Sequence, residues 1–166
     1  MNARKFLKGC LLPLILLTLL PYVGCTSYNS YTWVGALPKE IKTGRTLERD
    51  TPWIAPPGGS CGGAIFTLRK KTQKQILEQG LGYFSDKKVS RRWNKASISW
   101  SIGASDRKAR ISFECVIRSS GKEKYYKDKL TKSMNSVSAY YGVLDSDITR
   151  ILVLPNEKLV FIGYWD

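Results

Sequence analysis

An apolar run near the N-terminus indicates which part of this chain forms the folded protein. The basic opening MNARKFLK is soon followed by 13 largely apolar residues, from Leu11 to Val23. This order is typical of a secretory signal peptide. A helix that spans a membrane needs about 20 apolar residues, whereas this run contains two prolines and stops at Gly24. We therefore predict that residues 1–24 are a signal peptide and that the fold is built from the remainder.

The residues that close this run carry a family resemblance. The sequence Tyr22-Val23-Gly24-Cys25 resembles the lipobox of bacterial lipoproteins, although Tyr22 replaces the usual Leu. In that family a small residue precedes a cysteine whose thiolate, a strong nucleophile, accepts a diacylglycerol group. The resemblance implies that Cys25 becomes the lipidated N-terminus, with acyl chains such as palmitate. In that family an Asp directly after the cysteine marks proteins that are retained in the inner membrane. This chain has Thr26 at that position, which implies the outer membrane.

The four cysteines of the chain can then be sorted. Cys10 lies in the predicted signal peptide and Cys25 is the predicted lipidation site, which leaves Cys61 and Cys115. An exported compartment is oxidising, so these two thiols are predicted to form one disulfide bond. A reactive free thiol is the alternative.

Charge and residue content narrow the function classes. Residues 1–24 hold three basic residues and no acid, so the remainder has 24 basic and 13 acidic residues, a balance of +11. Such a surplus favours anionic partners through long-range attraction that salt weakens. The chain has no histidine, which excludes Ser-His and Cys-His catalysis and removes the commonest zinc ligand. We expect no metal and no cofactor.

The chain after Gly24 is predicted to have two parts. Residues 25–60 are polar with scattered aromatics, and they run into the stretch TPWIAPPGGSCGG. Prolines and glycines at this density disfavour helix and strand alike. We predict a lipid-anchored tether over 25–60 and one globular domain over 61–166.

Apolar spacing predicts the first elements of this domain. Thr72–Gln75 has the form of a capping box, and apolar residues at helical spacing follow it, which predicts a helix over 72–84. Farther on, Ile98–Ile102 and Ala109–Ile117 alternate apolar with polar residues. This alternation predicts a β-hairpin whose apolar face includes Cys115.

Residues 121–141 leave two interpretations open. Ser120–Glu123 is a second capping-box candidate, and Gly142 is suited to a helix end. Four apolar residues recur between them at helical spacing: Tyr126, Leu130, Met134 and Val137. The competing interpretation extends the hairpin into another strand.

The C-terminal residues predict a second hairpin. ITRILVL and LVFIGYW flank the turn-rich segment Pro155–Lys158. The sum is an α+β fold: a small single domain with an antiparallel sheet, one or two helices and one disulfide.

A basic segment is the main candidate binding site. Residues 86–95 read DKKVSRRWNK, in which the arginines can hold phosphate or carboxylate in bidentate fashion while Trp93 stacks on a ring. A solvated basic loop with Trp93 in the core is the alternative. The candidate residues are Lys87, Lys88, Arg91, Arg92, Trp93 and Lys95.

Other charged residues have simpler interpretations. The lysines from Lys122 to Lys132 are interspersed with acids, which predicts the solvent face of a helix. Asp145 and Asp147, together with Glu114, are the candidates for paired-carboxylate chemistry. Aspartates that flank a serine before an apolar run more often cap the next element, so we predict no catalytic residue.

These features predict a non-enzymatic lipoprotein of the bacterial cell envelope, held in the membrane by lipid on Cys25. The periplasmic side of the outer membrane is favoured over the inner membrane. An anionic envelope polymer or an acidic protein is the expected partner, and the envelope location disfavours nucleic acid. Two further classes stay open: an inhibitor or immunity protein against an exported toxin or cell-wall hydrolase, and a hydrolase of envelope polymers.

Overall fold

One antiparallel sheet organises the domain. The structure is a computed structural model that describes residues 33–50, 61–86, 90, 97–103, 107–118, 120–134, 136–144 and 148–165. The strands are β1 (Thr43–Asp50), β2 (Cys61–Leu68), β3 (Ile98–Ile102), β4 (Tyr140–Leu144), β5 (Thr149–Leu154) and β6 (Leu159–Trp165). The helices are α1 (Lys70–Gln79), a 3-10 helix (Gly80–Phe84), α2 (Arg107–Arg118) and α3 (Glu123–Ser133). The predicted α+β class is confirmed, with more helices than the one or two expected.

The strands lie in the order β1-β2-β6-β5-β4-β3, and every neighbouring pair is antiparallel. Both faces of the sheet are covered. On one face Ile151 and Val153 pack with Ile76 and Phe84, from α1 and the 3-10 helix. On the other face Leu152 belongs to the cluster formed with α2 and α3. This burial on two sides explains why β5 and β6 have near-continuous apolar sequences.

The second half of the predicted hairpin over 98–117 is wrong. Ile98–Ile102 is a strand, but residues 107–118 form α2. Ala109, Phe113 and Val116 recur at spacings of four and three, and all three are buried on one helical face. The alternation of Ala109–Ile117 was therefore compatible with both periods, and packing against the sheet favoured the helix.

The two other helix predictions are confirmed in type. The predicted helix over 72–84 is α1 followed by the 3-10 helix, and Gly80, at a φ of 58°, ends α1. Residues 123–133 are helical, which settles the open alternative in favour of the helix. Val137 lies beyond this helix and is 85% exposed, so its predicted place on the apolar face is wrong.

The predicted role of Gly142 is also wrong, because this residue lies within β4. A Cβ atom there would lie 2.9 Å from the ring of Trp100 on the neighbouring strand. Gly142 therefore makes room for a cross-strand aromatic side chain and does not end a helix.

The predicted disulfide and the predicted C-terminal hairpin are confirmed. Cys61, at the start of β2, is bonded to Cys115 of α2. Gly163 lets this helix approach the sheet, since a Cβ atom there would lie 2.6 Å from the carbonyl oxygen of Ser112. The hairpin joins β5 to β6 through the turn Pro155–Lys158, as predicted.

The predicted boundary between tether and domain needs correction. Trp33, Leu37 and Ile41 are buried in the core, and β1 pairs with β2. Residues 33–50 therefore belong to the folded domain. The sequence TGRTLERD gave no strand signal because β1 is an edge strand that is exposed or only partly buried along the length where its burial is described.

Candidate binding surface

Several residues singled out from the sequence lie outside the described part of the chain. They are Cys25, Lys87, Lys88, Arg91, Arg92, Trp93, Lys95, Asp145 and Asp147. Of the three candidate carboxylates only Glu114 is described, and its oxygens lie 3.4 Å from Arg110 Nε and 3.9 Å from an Arg118 guanidinium nitrogen. This carboxylate is engaged in ion pairs along its own helix.

The lysines of α3 form a solvent face, as predicted. Lys124, Lys127 and Lys132 are exposed, while Tyr126 and Leu130 are buried against the sheet. The ammonium group of Lys129 pairs with Glu157 of the β5–β6 turn. This hydrogen bond raises the pKa of Lys129 above its ordinary value.

Four exposed cations from three parts of the chain meet at one end of the sheet: Lys42, Arg69, Lys70 and Lys158. We call these four residues the basic end. The Arg69 amide donates to the Lys42 carbonyl oxygen at 3.1 Å, and the Leu68 amide donates to the Lys158 carbonyl oxygen at 2.8 Å. These backbone bonds hold the start of β1, the end of β2 and the start of β6 side by side.

Local geometry fixes two of the four residues of the basic end. Arg69 is extended (φ −67°, ψ 140°), and its Nε donates to the Thr43 carbonyl oxygen at 3.0 Å. Lys158 has a φ of 57° and closes the turn by donating its amide to the Pro155 carbonyl oxygen. The Arg69 side chain is thus fixed by its own hydrogen bond, and the Lys158 backbone is fixed as the last residue of a tight turn.

The basic end brings together cations from three parts of the chain without carboxylate partners. None of its four side chains forms an ion pair with a carboxylate of the described residues, and the same holds for Lys124, Lys127 and Lys132 on α3, whereas Lys74, Lys122 and Lys129 do form ion pairs. Neighbouring cations without counter-charges raise the local positive potential and attract anions. This arrangement is suited to holding an anionic ligand.

A polar cavity adjoins the basic end through the β5–β6 turn. It has a volume of about 310 Å³ and is lined by Lys132, Ser133, Ser136, Ser138, Leu154, Asn156 and Glu157. We call it the hydroxyl pocket. Ser138 Oγ accepts a hydrogen bond from Asn156 Nδ2 at 2.9 Å and lies 3.2 Å from Ser136 Oγ. These contacts join the turn to the segment that follows α3.

A larger and more apolar groove lies between the 3-10 helix and β3, the edge strand on the other side of the sheet from β1. Its volume is about 540 Å³, and its lining is Leu81, Gly82, Phe84, Ser85, Ser97, Ile98, Ser99 and Trp100. The rings of Phe84 and Trp100 pack in its wall with centroids 4.4 Å apart.

Sequence reasoning missed the basic end because its members are distant along the chain. Lys42 and Lys158 come together only because β2 pairs with both β1 and β6. The local charge run Arg69–Lys71 was visible in the sequence, but nothing marked its neighbours in space.

In comparisons with known proteins, no family model, no curated protein and no solved structure matches the chain. Among the described residues, no helix is long and apolar enough to cross a membrane. The same residues contain no group of three or more side chains that could hold a metal ion.

Proposed function

We propose that the protein is a lipoprotein of the bacterial envelope, anchored through Cys25, whose domain binds an anionic partner at the basic end without catalysing a reaction. The Cys61–Cys115 disulfide carries this proposal. Disulfides persist in exported compartments and are rare in the cytosol. The bond therefore agrees with the interpretation of residues 1–24 as an export signal.

The position of the basic end also supports a binding role. Trp33, the first described residue, stacks on Tyr164 near the last residue of β6, with ring centroids 5.7 Å apart. Lys158 precedes the first residue of this strand. β6 has seven residues, which at about 3.3 Å per residue separate the two ends by roughly 20 Å. Trp33 and the cations thus lie at opposite ends of the sheet.

The anchor is tested by changing Cys25→Ser, with Cys10→Ser as the matched control. We expect the Cys25→Ser protein to lose fatty-acid labelling and membrane retention, and to keep an unprocessed N-terminus. The control protein should be labelled and processed like the wild type. Intact mass measurement and fractionation of cell membranes give the readouts. A Cys25→Ser protein that is still processed and membrane-bound would reject the anchor.

The binding surface is tested with two triple variants that remove equal charge. One is Lys42→Gln/Lys70→Gln/Lys158→Gln, at the basic end, and the other changes Arg107, Lys124 and Lys127 to Gln. Exposed charge pairs contribute about 0.2–1 kcal/mol each, so the first variant should bind polygalacturonate, an anionic polymer, about tenfold more weakly at low salt. The second variant should bind nearly like the wild type.

Equal losses in the two variants would mean that only net charge matters, which contradicts a defined surface. A stoichiometric complex with one acidic protein, formed without any affinity for polyanions, would instead favour the inhibitor class.

A further inference from the structure

The hydroxyl pocket has the chemistry of a sugar site. From its geometry we infer that it binds one residue of an anionic saccharide while the basic end holds the charge of adjoining residues. This inference deepens the proposed function, on which it rests for the choice of an anionic partner.

The lining of the pocket combines hydrogen-bond donors and acceptors. Ser133, Ser136 and Ser138 supply hydroxyl groups that can donate or accept, and Asn156 supplies an amide. A sugar ring presents several hydroxyl groups of the same mixed character. A flat protein surface or a lipid headgroup layer does not require such a set inside a cavity.

The single carboxylate in the pocket separates a sugar from a bare phosphate. Glu157 can only accept hydrogen bonds when ionised, so it can accept one from a sugar hydroxyl, whereas an ionised phosphate oxygen offers it no donor. Its pairing with Lys129 offsets its charge and fixes its orientation. Lys132 stands in the same lining and supplies a cation for an anionic substituent.

The size and position of the pocket favour one unit of a longer ligand. Its volume of about 310 Å³ is at the lower end of the range for small-molecule sites, about 300–1,000 Å³. The turn Pro155–Lys158 gives Asn156 and Glu157 to the pocket and Lys158 to the basic end. An oligosaccharide with a charge on successive units can therefore contact both.

The test is calorimetric titration of the full-length protein, purified in detergent, with tetragalacturonate as the probe. Maltotetraose supplies hydroxyls without charge, tripolyphosphate supplies charge without sugar hydroxyls, and glycerophosphoglycerol supplies the soluble headgroup of an anionic lipid. We expect tetragalacturonate to bind at least about tenfold more tightly than each of these three. Tripolyphosphate or glycerophosphoglycerol binding equally well would overturn the sugar site, and maltotetraose doing so would overturn its preference for charge.

Two variants of the pocket have matched controls. Lys132→Gln should weaken tetragalacturonate binding about tenfold, as expected for a hydrogen bond to a charged group, whereas Lys127→Gln on the same helix should not. Ser138→Ala should weaken binding several-fold, and Ser101→Ala, an exposed serine of β3, should not. Unchanged unfolding temperatures show that the variants are folded.

The outcomes separate this inference from the proposed function. A loss on Lys132→Gln and Ser138→Ala with no loss in the basic-end variant would retain the pocket and reject the basic end as the partner surface. The opposite result would retain the basic end and reject the pocket. A Cys25→Ser protein that stays processed and membrane-bound but still binds tetragalacturonate would reject the anchor and retain the pocket.

Discussion

Breaking the Cys61–Cys115 bond is expected to lower the free energy of unfolding by about 4 kcal/mol. The two cysteines are 54 residues apart in the sequence. For a loop of that length, the chain-entropy relation gives a stabilisation of about 4 kcal/mol at 25 °C, because the cross-link restricts the unfolded chain. The loop includes α1, β3 and most of α2, so the restriction covers elements on both faces of the sheet.

Urea unfolding followed by tryptophan fluorescence measures this loss, with and without dithiothreitol. At about 2 kcal/mol per molar urea for a domain of this size, reduction should lower the unfolding midpoint by about 2 M. The double variant Cys61→Ser/Cys115→Ser provides the control, with a low midpoint in both conditions.

Two outcomes would refute the reasoning. The first is an unchanged midpoint after thiol counting has shown that both cysteines are reduced, since the bond would then add nothing to stability. The second is a double variant that still responds to dithiothreitol, since the reductant would then act elsewhere. Free Cys61 and Cys115 thiols in protein taken directly from membranes would count against export.

Two further expectations concern packing and pH. Gly163→Ala places a methyl group 2.6 Å from the carbonyl oxygen of Ser112 and should cost about 1–3 kcal/mol in urea unfolding, whereas Gly82→Ala, with nothing within 4 Å of the new atom, should be nearly neutral. Burial raises the pKa of Tyr126 above 10.0, so the unfolded chain loses its proton first and stability falls as the pH rises above about 10. Tyr126→Phe should remove part of that fall in midpoints measured between pH 8 and 11; equal slopes in the variant and the wild type would contradict the assignment.

The sequence predicted best where one local signal had one meaning. The C-terminal hairpin combined two apolar runs with a turn segment, and β5 and β6 lie where those runs are. The disulfide followed from export and from counting thiols, neither of which requires knowledge of the fold. The two strands of the hairpin are close in sequence, and Cys61 and Cys115 are the two cysteines left after the predicted signal peptide and lipidation site are set aside.

Prediction failed where two periodicities coincided or where a strand lay at an edge. The apolar residues of Ala109–Ile117 fit both a strand alternation and a helical spacing. The segment is a helix because it packs closely on the sheet at Gly63 and Gly163. β1 carries polar residues along most of its length and could not be distinguished from a tether. Tertiary packing supplies the missing information in each case.

The order of the strands explains why the cations collect at one end. In an antiparallel sheet, the start of β1, the end of β2 and the start of β6 lie at the same end of the sheet, so residues that flank three different strands become neighbours. The opposite end presents the partly exposed Ile148 and Trp165, whose backbones are joined by a hydrogen bond.

This polarity matters for a domain attached to a membrane. Cations placed beside an anionic lipid surface would be occupied by headgroups, and a soluble polyanion would have to displace them. Trp33, the described residue nearest to Cys25 in the sequence, lies at the end opposite to Lys42. Seven residues separate Cys25 from Trp33, which makes eight steps along the chain and a reach of at most about 29 Å when extended. The proposed anchor at Cys25 would therefore allow the basic end and the hydroxyl pocket to face away from the membrane, where an envelope saccharide could reach them.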